Sequence, residues 1–333
     1  MKVSTASTIA AWVPVVLRCL KHHGMAKQHA LTLAGIDPAK LSQQGARYNS
    51  QQTHKLMAVL DSTLDVAVPG LELARFTDAT SFGALGFAMM ASTTLAEALS
   101  RLQRFAPVAS SVVAFEVYAH HALGEIRIQE GSGAQATPQA TFDFTMAIMT
   151  AFLRIKGGRR ASPKKIHFCH KLTDGQIQHY QSFYGCELKG QQTSYSLFFD
   201  AQSLNLPSKS PASQGVSLAS EQMLHSSLQQ LHANDLPAWL LQKIVESLPN
   251  GEPSLATLAQ QLHISGRTLQ RRLKRHNVYF KDVLDEGRQT LSRGYLKQGY
   301  SVTETAYLLG FADTSSFSRA YRRWFNKAPS EQD

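Results

Sequence analysis

Cysteine is scarce: Cys19, Cys169 and Cys186 are the three in 333 residues. They are too few and too scattered for a disulfide framework or a Cys-x-x-Cys metal site, and three reduced thiols in a cytoplasm are expected. Long hydrophobic runs are also missing. The nearest is IAAWVPVVL (9–17), preceded by Lys2. Pro14, Arg18, Lys21 and His22-His23 interrupt or follow it, so it reads as an amphipathic helix over 7–23. It is neither a secretory signal nor a membrane span, and no membrane partner is expected. No H-E-x-x-H, G-x-S-x-G or Walker motif occurs. The thirteen histidines include the pairs His22-His23 and His120-His121. Adjacent side chains diverge on a helix or a strand, so these pairs suggest no metal site. No catalytic residue, metal or cofactor is assigned.

Acid is in deficit. Lys and Arg number 34 against 24 Asp and Glu, a net charge of +10 and an isoelectric point near 9.5. Such a balance favours a polyanionic partner. Residues 252–333 hold 13 basic against 8 acidic residues, which leaves 21 against 16 for residues 1–251. The shorter region is therefore about three times denser in net positive charge, which suits DNA. The length makes two domains the default.

Similar stretches occur twice within that basic region. In SLATLAQQLHISGRTLQRRLKRH (254–276), Leu255, Leu258, Ala259 and Leu262 form one helical apolar stripe. Ser265 is placed to N-cap the next helix. There Leu269 and Leu273 face inward, and Arg267, Gln270, Arg271 and Lys274 share the outer face. SVTETAYLLGFADTSSFSRAYRRWF (301–325) repeats the plan. Val302, Ala306 and Leu309 make its stripe, Gly310 the turn and Asp313 the N-cap. Phe317, Tyr321 and Phe325 point inward, leaving Thr314, Ser315, Ser318, Arg319 and Arg322 outside. Two such units describe a paired helix-turn-helix reader of the DNA major groove.

Residues TLQRRLK (268–274), LDEGRQTLSRGYL (284–296), TETAYLLGFADTSSFSRAYRRWF (303–325) and APSE (328–331) resemble the DNA-binding domain of AraC/XylS-type bacterial transcription regulators. The chain departs from that pattern at four places. His263 stands where Gly is usual in the turn, Gly287 and Gly294 interrupt the linking helix, Thr305 replaces an aliphatic residue, and Gln332-Asp333 replace the usual ending. Each helical glycine is expected to cost about 1 kcal/mol relative to Ala. The linking helix, Phe280 to Leu296, would span about 25 Å and could set two readers in successive major grooves about 34 Å apart. Arg267, Gln270, Arg271, Thr314, Ser315, Ser318 and Arg319 are the expected base readers. Arg suits guanine and Gln adenine. Lys274, Arg322 and Arg323 are the expected phosphate contacts.

The first two hundred residues read as α+β. Helices are expected at 7–23, 53–66, 141–155 and 174–184, with an amphipathic one in the second half of 81–108. Strands are expected at 111–130 (a hairpin turning at 120–124), 164–171 and 195–200, giving a small, mainly antiparallel sheet. SFGALGFAMMASTTLAEALSRLQRF (81–105), the run 158–170, YGCEL (184–188) and LFFDAQSLNLP (197–207) resemble the arabinose-binding-like domain of one AraC subfamily. That resemblance implies an effector domain with a sheet-walled cavity, though the domain's name does not make arabinose the ligand. The excess of base there favours an anionic effector, such as a carboxylate metabolite or fatty acid.

The expected organisation is a regulatory domain at 1–207, a linker and dimerisation helix at 208–234, and an all-α reader domain with two helix-turn-helix units at 235–333. In 218–232, Leu218, Met223, Leu224, Leu228 and Leu231 lie at near-heptad spacing, so a homodimer is expected. The expected function is sequence-specific binding of double-stranded promoter DNA under small-molecule control, with RNA polymerase as a further partner of an activator. A DNA repair enzyme and an architectural DNA binder are the alternatives. The repair enzyme would need an activated cysteine with metal-binding cysteines near it, and no such cluster is present.

Overall fold

The computed structural model describes residues 6–43, 45–120, 122–131, 134, 136–208, 214–234, 236–262, 264–276 and 278–331. His121, His263 and Gln332-Asp333 lie outside the described residues. The chain forms two compact units, Thr5–Leu228 and Gln229–Asp333.

The first unit opens with a strand where a helix is expected. β1 (Ser7–Ile9) pairs antiparallel with β2 (Arg47–Asn49), and a 3-10 turn leads into α1 (Val13–His22). Pro14 thus falls in the first helical turn, where its missing N–H costs nothing. α2 (Lys27–Ala34) follows, and α3 (Ser50–Thr63) starts on a capping box. Asn49 Oδ1 accepts from Gln52 N at 2.9 Å, and Gln52 Oε1 accepts from Asn49 N at 3.3 Å. Val13, Val16, Leu20, Leu31, Leu56 and Leu60 close one core between these helices.

The second core lies between the sheet and α4 (Pro69–Ala74), α5 (Ala84–Ala91), α6 (Leu95–Ala109) and α7 (Gln139–Gly157). β3 (Val113–His120) and β4 (Leu123–Glu130) form the expected hairpin. β5 (Lys165–His167), α8 (Asp174–Tyr184), β6 (Glu187–Lys189) and β7 (Tyr195–Asp200) complete the layer. The strand order is β3-β4-β7-β5-β6, and the β5–β6 pairing is parallel. Ile126, Ile128, Ile166, Leu197 and Phe199 are buried. Opposite Gly124, the Phe199 ring stands 2.5 Å from where a Cβ would be, so that position needs glycine. The strand expected over 164–171 shrinks to three residues. β6, also three residues, is too short to show alternation in sequence.

α9 (Gln214–Asn234) begins inside the stretch read as a linker, so residues 214–217 are helical; residues 209–213 lie outside the described residues. Part of its apolar stripe packs on its own unit, while Leu218 and Met223 stay exposed. Leu224 is fully buried in the second core, Leu228 packs against it, and the His225 ring meets Phe105 edge-on at 5.0 Å.

The second unit comprises α10 (Leu236–Ser247), α11 (Leu255–Gln261), α12 (Gly266–Arg275), α13 (Phe280–Lys297), α14 (Val302–Leu308) and α15 (Thr314–Phe325). It holds two small cores. One gathers Trp239, Leu240, Ile244, Leu258, Leu269, Leu273 and Val283; the other Ala306, Leu309, Phe317 and Tyr321; Leu291 of α13 packs against both. α13 runs unbroken through Gly287 and Gly294. Gly287 is not simply a weak spot, because a Cβ there would stand 2.8 Å from Ile244 Cγ2. The glycine lets α10 approach α13 closely, which offsets its low helix propensity. Thr305 is fully buried and its hydroxyl has no partner among the described residues, a polar group where an aliphatic side chain would be satisfied.

Candidate nucleic-acid interface and effector cavity

Each reader helix is started by a side-chain cap. Ser265 Oγ accepts from Thr268 N at 3.2 Å at the head of α12, and Asp313 Oδ1 accepts from Ser316 N at 2.7 Å at the head of α15. The preceding helices are capped likewise, by Ser254 on Thr257 N (3.0 Å) and by a Ser301–Glu304 capping box. Gly310 takes the left-handed turn between α14 and α15 at φ +70°.

Burial then sorts the faces. In α12 Leu269 and Leu273 are buried, while Arg267, Gln270, Arg271 and Lys274 are exposed and have no intramolecular partner among the described residues. Four donor-bearing side chains on one face are available to a groove. α15 differs. Phe317 and Tyr321 are buried, Ser315 and Arg319 are exposed, and Thr314 and Ser318 are half-buried. Arg319 donates to Ser316 Oγ at 3.2 Å. Arg322 is exposed, but Arg323 is ion-paired with Asp285 of α13 at 2.7 Å, so this expected phosphate contact is already engaged.

Arg288 of α13 was not singled out by sequence. Its guanidinium donates to the carbonyls of Leu309 (2.9 Å) and Gly310 (3.0 Å), pairs with Glu252 (2.6 Å) and lies 4.4 Å from the Phe311 ring centre. It caps the carbonyls just past the end of α14 and fixes the turn before α15. An Arg in a polar helix carries no sequence signal for such a role.

The first unit holds a cavity of about 420 Å³ between α3, α5, α6, α7 and the start of β3. Trp12, Met57, Leu85, Met89, Leu102, Val113 and Phe144 are among its buried walls. Asp78, Ala151 and Ile155 are the lining residues left exposed and mark its mouth. α5 can lie against this space because Gly86 has no side chain: a Cβ would sit 1.8 Å from the Ala79 carbonyl oxygen.

Behind α5 are two buried cations. Lys156 Nζ donates to Met90 O (2.6 Å) and Ser92 O (2.8 Å), and burial pulls its pKa down. Arg101 donates to Ala88 O (3.0 Å) and Ser92 Oγ (2.8 Å). Both stabilise the negative end of α5. Arg101 also reaches Glu97 (2.8 Å), and on α9 it bonds Ser217 (3.0 Å) and Glu221 (3.0 Å). One side chain therefore joins a wall of the cavity to the helix that leads out of the unit. Neither stands out in sequence: Lys156 closes an apolar helix together with Arg154, and Arg101 lies in an amphipathic helix among other polar residues.

Elsewhere Asp143 is buried with Tyr180 donating at 2.7 Å, and burial pushes its carboxyl up to about 6. Contrary to expectation, His22 and His23 do not diverge. Their rings are 5.2 Å apart, and with Glu72 they place ligand atoms within 4.8 Å of one another. Arg75 already holds Glu72 at 2.9 Å, and among the described residues no fourth ligand joins them. The thiols are not activated: burial pushes Cys19 up to about 12 and Cys186 up to about 11, and raises Cys169. That argues physically against the cysteine-based repair alternative. Among the described residues no helix is long and apolar enough to cross a membrane.

Two capped helix-turn-helix units and an α+β domain with an apolar cavity suit a DNA-binding protein that also has a ligand-binding domain. Residues 24–208 match the arabinose-binding domain of AraC transcription regulators, and residues 258–332 match a helix-turn-helix domain. The chain belongs to the AraC family: it is a DNA-binding transcription regulator with an N-terminal ligand-binding domain, and its relatives are regulators, not enzymes. It is 23% identical to the ornithine utilization regulator of Pseudomonas aeruginosa over 96% of this chain and 94% of that one. It is 25% identical to the transcriptional regulator VirS of Mycobacterium tuberculosis over 83% and 81%. Among solved structures, the regulator CdpR of Pseudomonas aeruginosa aligns over 94% of this chain and 96% of that chain, at 19% identity and a TM-score of 0.46.

Proposed function

We propose that the chain reads a promoter with α12 and α15 in the major groove and that occupation of the apolar cavity controls this binding. The observation that carries the DNA reading is the face of α12: four exposed side chains, Arg267, Gln270, Arg271 and Lys274, unpartnered among the described residues and backed by buried Leu269 and Leu273. Arg267, Gln270 and Arg271 read base edges there, and Thr314, Ser315, Ser318 and Arg319 do so from α15. Lys274, Arg322 and, once released from Asp285, Arg323 contact phosphates. Residues 1–207 form the effector domain and 235–333 the reader. Control passes through Arg101, which holds both α5 and α9. A ligand that moves the α5 wall changes those bonds, and it alters DNA affinity only through a difference in its own affinity for the two states, typically about 1–3 kcal/mol.

A second copy of the chain and, for an activator, RNA polymerase are the further partners. Val216, Leu218 and Met223 on α9, all about half exposed or more, with Val216 and Met223 one heptad apart, are apolar surface open to a second copy. The test selects binding sites from random DNA with the full chain, then with Arg101→Met. Enrichment of one sequence motif supports groove reading. The Arg101 variant should keep the motif but lose any response of DNA affinity to cavity ligands. A pool that stays random after selection would leave only the sequence-neutral, architectural alternative.

A further inference from the structure

The cavity also limits its own ligand, an inference that rests on its being the effector site. Its walls are mostly aliphatic, thioether and aromatic side chains, and among the described residues no Lys or Arg lines it. Most hydroxyls in the lining are already used. Thr8 and Ser110 bond each other at 2.8 Å, Thr53 donates to Ser50 O at 3.0 Å, Thr77 to Leu73 O at 3.2 Å, and Thr145 to Thr141 O at 2.7 Å. Asp78 at the mouth is held ionised, by the Thr80 hydroxyl first and by Ser81, so the rim carries a negative charge. Two lining residues keep a buried polar atom without a partner among the described residues: His54 Nε2 and Thr141 Oγ1. Burial lowers the pKa of His54, which keeps its ring neutral near pH 7.

We infer that the cavity takes an apolar chain or ring, on the order of a dozen non-hydrogen atoms, carrying one uncharged hydroxyl, ketone or primary amide that partners His54 or Thr141. A pentose would bring several hydroxyls to a wall with two open partners, and each unmatched group would lose its water without compensation. A carboxylate would find no Lys or Arg in the wall and would pass Asp78 on entry. The basic excess of residues 1–251, which favoured an anionic effector, does not extend to the lining.

The test uses the full chain and three probes: octan-1-ol, octanoate and arabinose. Binding is read from the fluorescence of Trp12, a lining residue, and from the melting temperature. Octan-1-ol should bind and raise the melting temperature, octanoate at pH 8 should bind at least about tenfold more weakly, and arabinose should do neither. His54→Leu, Thr141→Val or both should weaken octan-1-ol about fivefold, the scale of one hydrogen bond. Ala106→Leu, which fills the cavity, should abolish binding; a folded Ala106→Leu protein that still binds places the alcohol elsewhere and overturns the inference. So does tighter binding of arabinose or octanoate, no binding of octan-1-ol, or indifference to both polar substitutions. If octan-1-ol binds as expected but DNA affinity stays constant, this inference stands and the regulatory reading falls. Arabinose binding that changes DNA affinity does the reverse.

Discussion

The two helix-turn-helix halves follow one plan with different materials. The first rests on a mainly aliphatic core that recruits α10 with its Trp239 and displays long side chains, Arg267, Gln270, Arg271 and Lys274, without internal partners among the described residues. The second rests on a cluster of four buried apolar residues, Ala306, Leu309, Phe317 and Tyr321, ringed by Phe311, Trp324 and Phe325. It displays mostly hydroxyls, and Arg288, Arg293 and Arg323 hold it from the side through contacts with Phe311, Phe325 and Asp285. A small core leaves little area to bury, so polar attachment to α13 supplies some of the order. In return its reading face is closer to the backbone and poorer in charge. On the proposed DNA reading, the first half would supply the strong base contacts and the second the fit.

The largest effect should come from Phe317→Ala, with about 3–5 kcal/mol lost from the second core. Hydrogen exchange should then show α14 and α15 opening while α11 and α12 keep their protection. Equal loss of protection in both halves would show that they fold as one unit. Next, Arg288→Ala should cost about 2–3 kcal/mol, since it frees two carbonyls and the Glu252 carboxylate together; Arg288→Lys should recover only a fraction of this, lacking the fork. Chemical denaturation of the isolated second unit and of the full chain measures both. An Arg288→Ala protein of unchanged stability would mean the second core needs no rivet.

On DNA, Arg271→Ala should weaken specific binding by about 1–3 kcal/mol and relax preference at one or two base pairs, while Ser318→Ala should cost less. Binding to systematically varied sites decides it; a larger effect from Ser318 would reverse the roles of the two halves. Smallest in sequence terms is Lys274→Ala. It should weaken all sites about equally and lower the salt slope of log K by about one, as titrations on specific and scrambled DNA would show.

What was legible in the sequence was whatever is local. Ser265 and Asp313 cap helices by reaching three residues ahead, and the stripes ending in Leu269 and Phe317 recur with the helical period. Both signals sit within a dozen residues. The hairpin β3–β4 was legible for the same reason. A cavity was implied only by the resemblance, and as a sheet-walled one; its mostly helical lining was not legible, because it draws on segments from Thr8 to Ile155. Strands of three residues, β1, β2 and β6, fall below the length at which alternation can be told from chance, and β5 was expected at more than twice its length. Nothing in sequence distinguishes Arg101 and Arg288 from solvent-facing cations; only their distant partners reveal them as connectors.

The continuity of α13 has a consequence for how this chain can tolerate insertions. The helix has 18 residues, about 27 Å, and both cores touch it at Leu291. Each residue added within it would advance one reader by about 1.5 Å and swing it through about 100°. Seven added residues would nearly restore the orientation, to about 20°, but would shift the reader by about 10 Å, some three base pairs. Three base pairs turn the groove by roughly a third of a revolution. The protein helix and the double helix therefore have mismatched periods, and no short insertion satisfies both. Length changes belong in the loops; this helix is a ruler whose divisions are fixed by the polymer it measures.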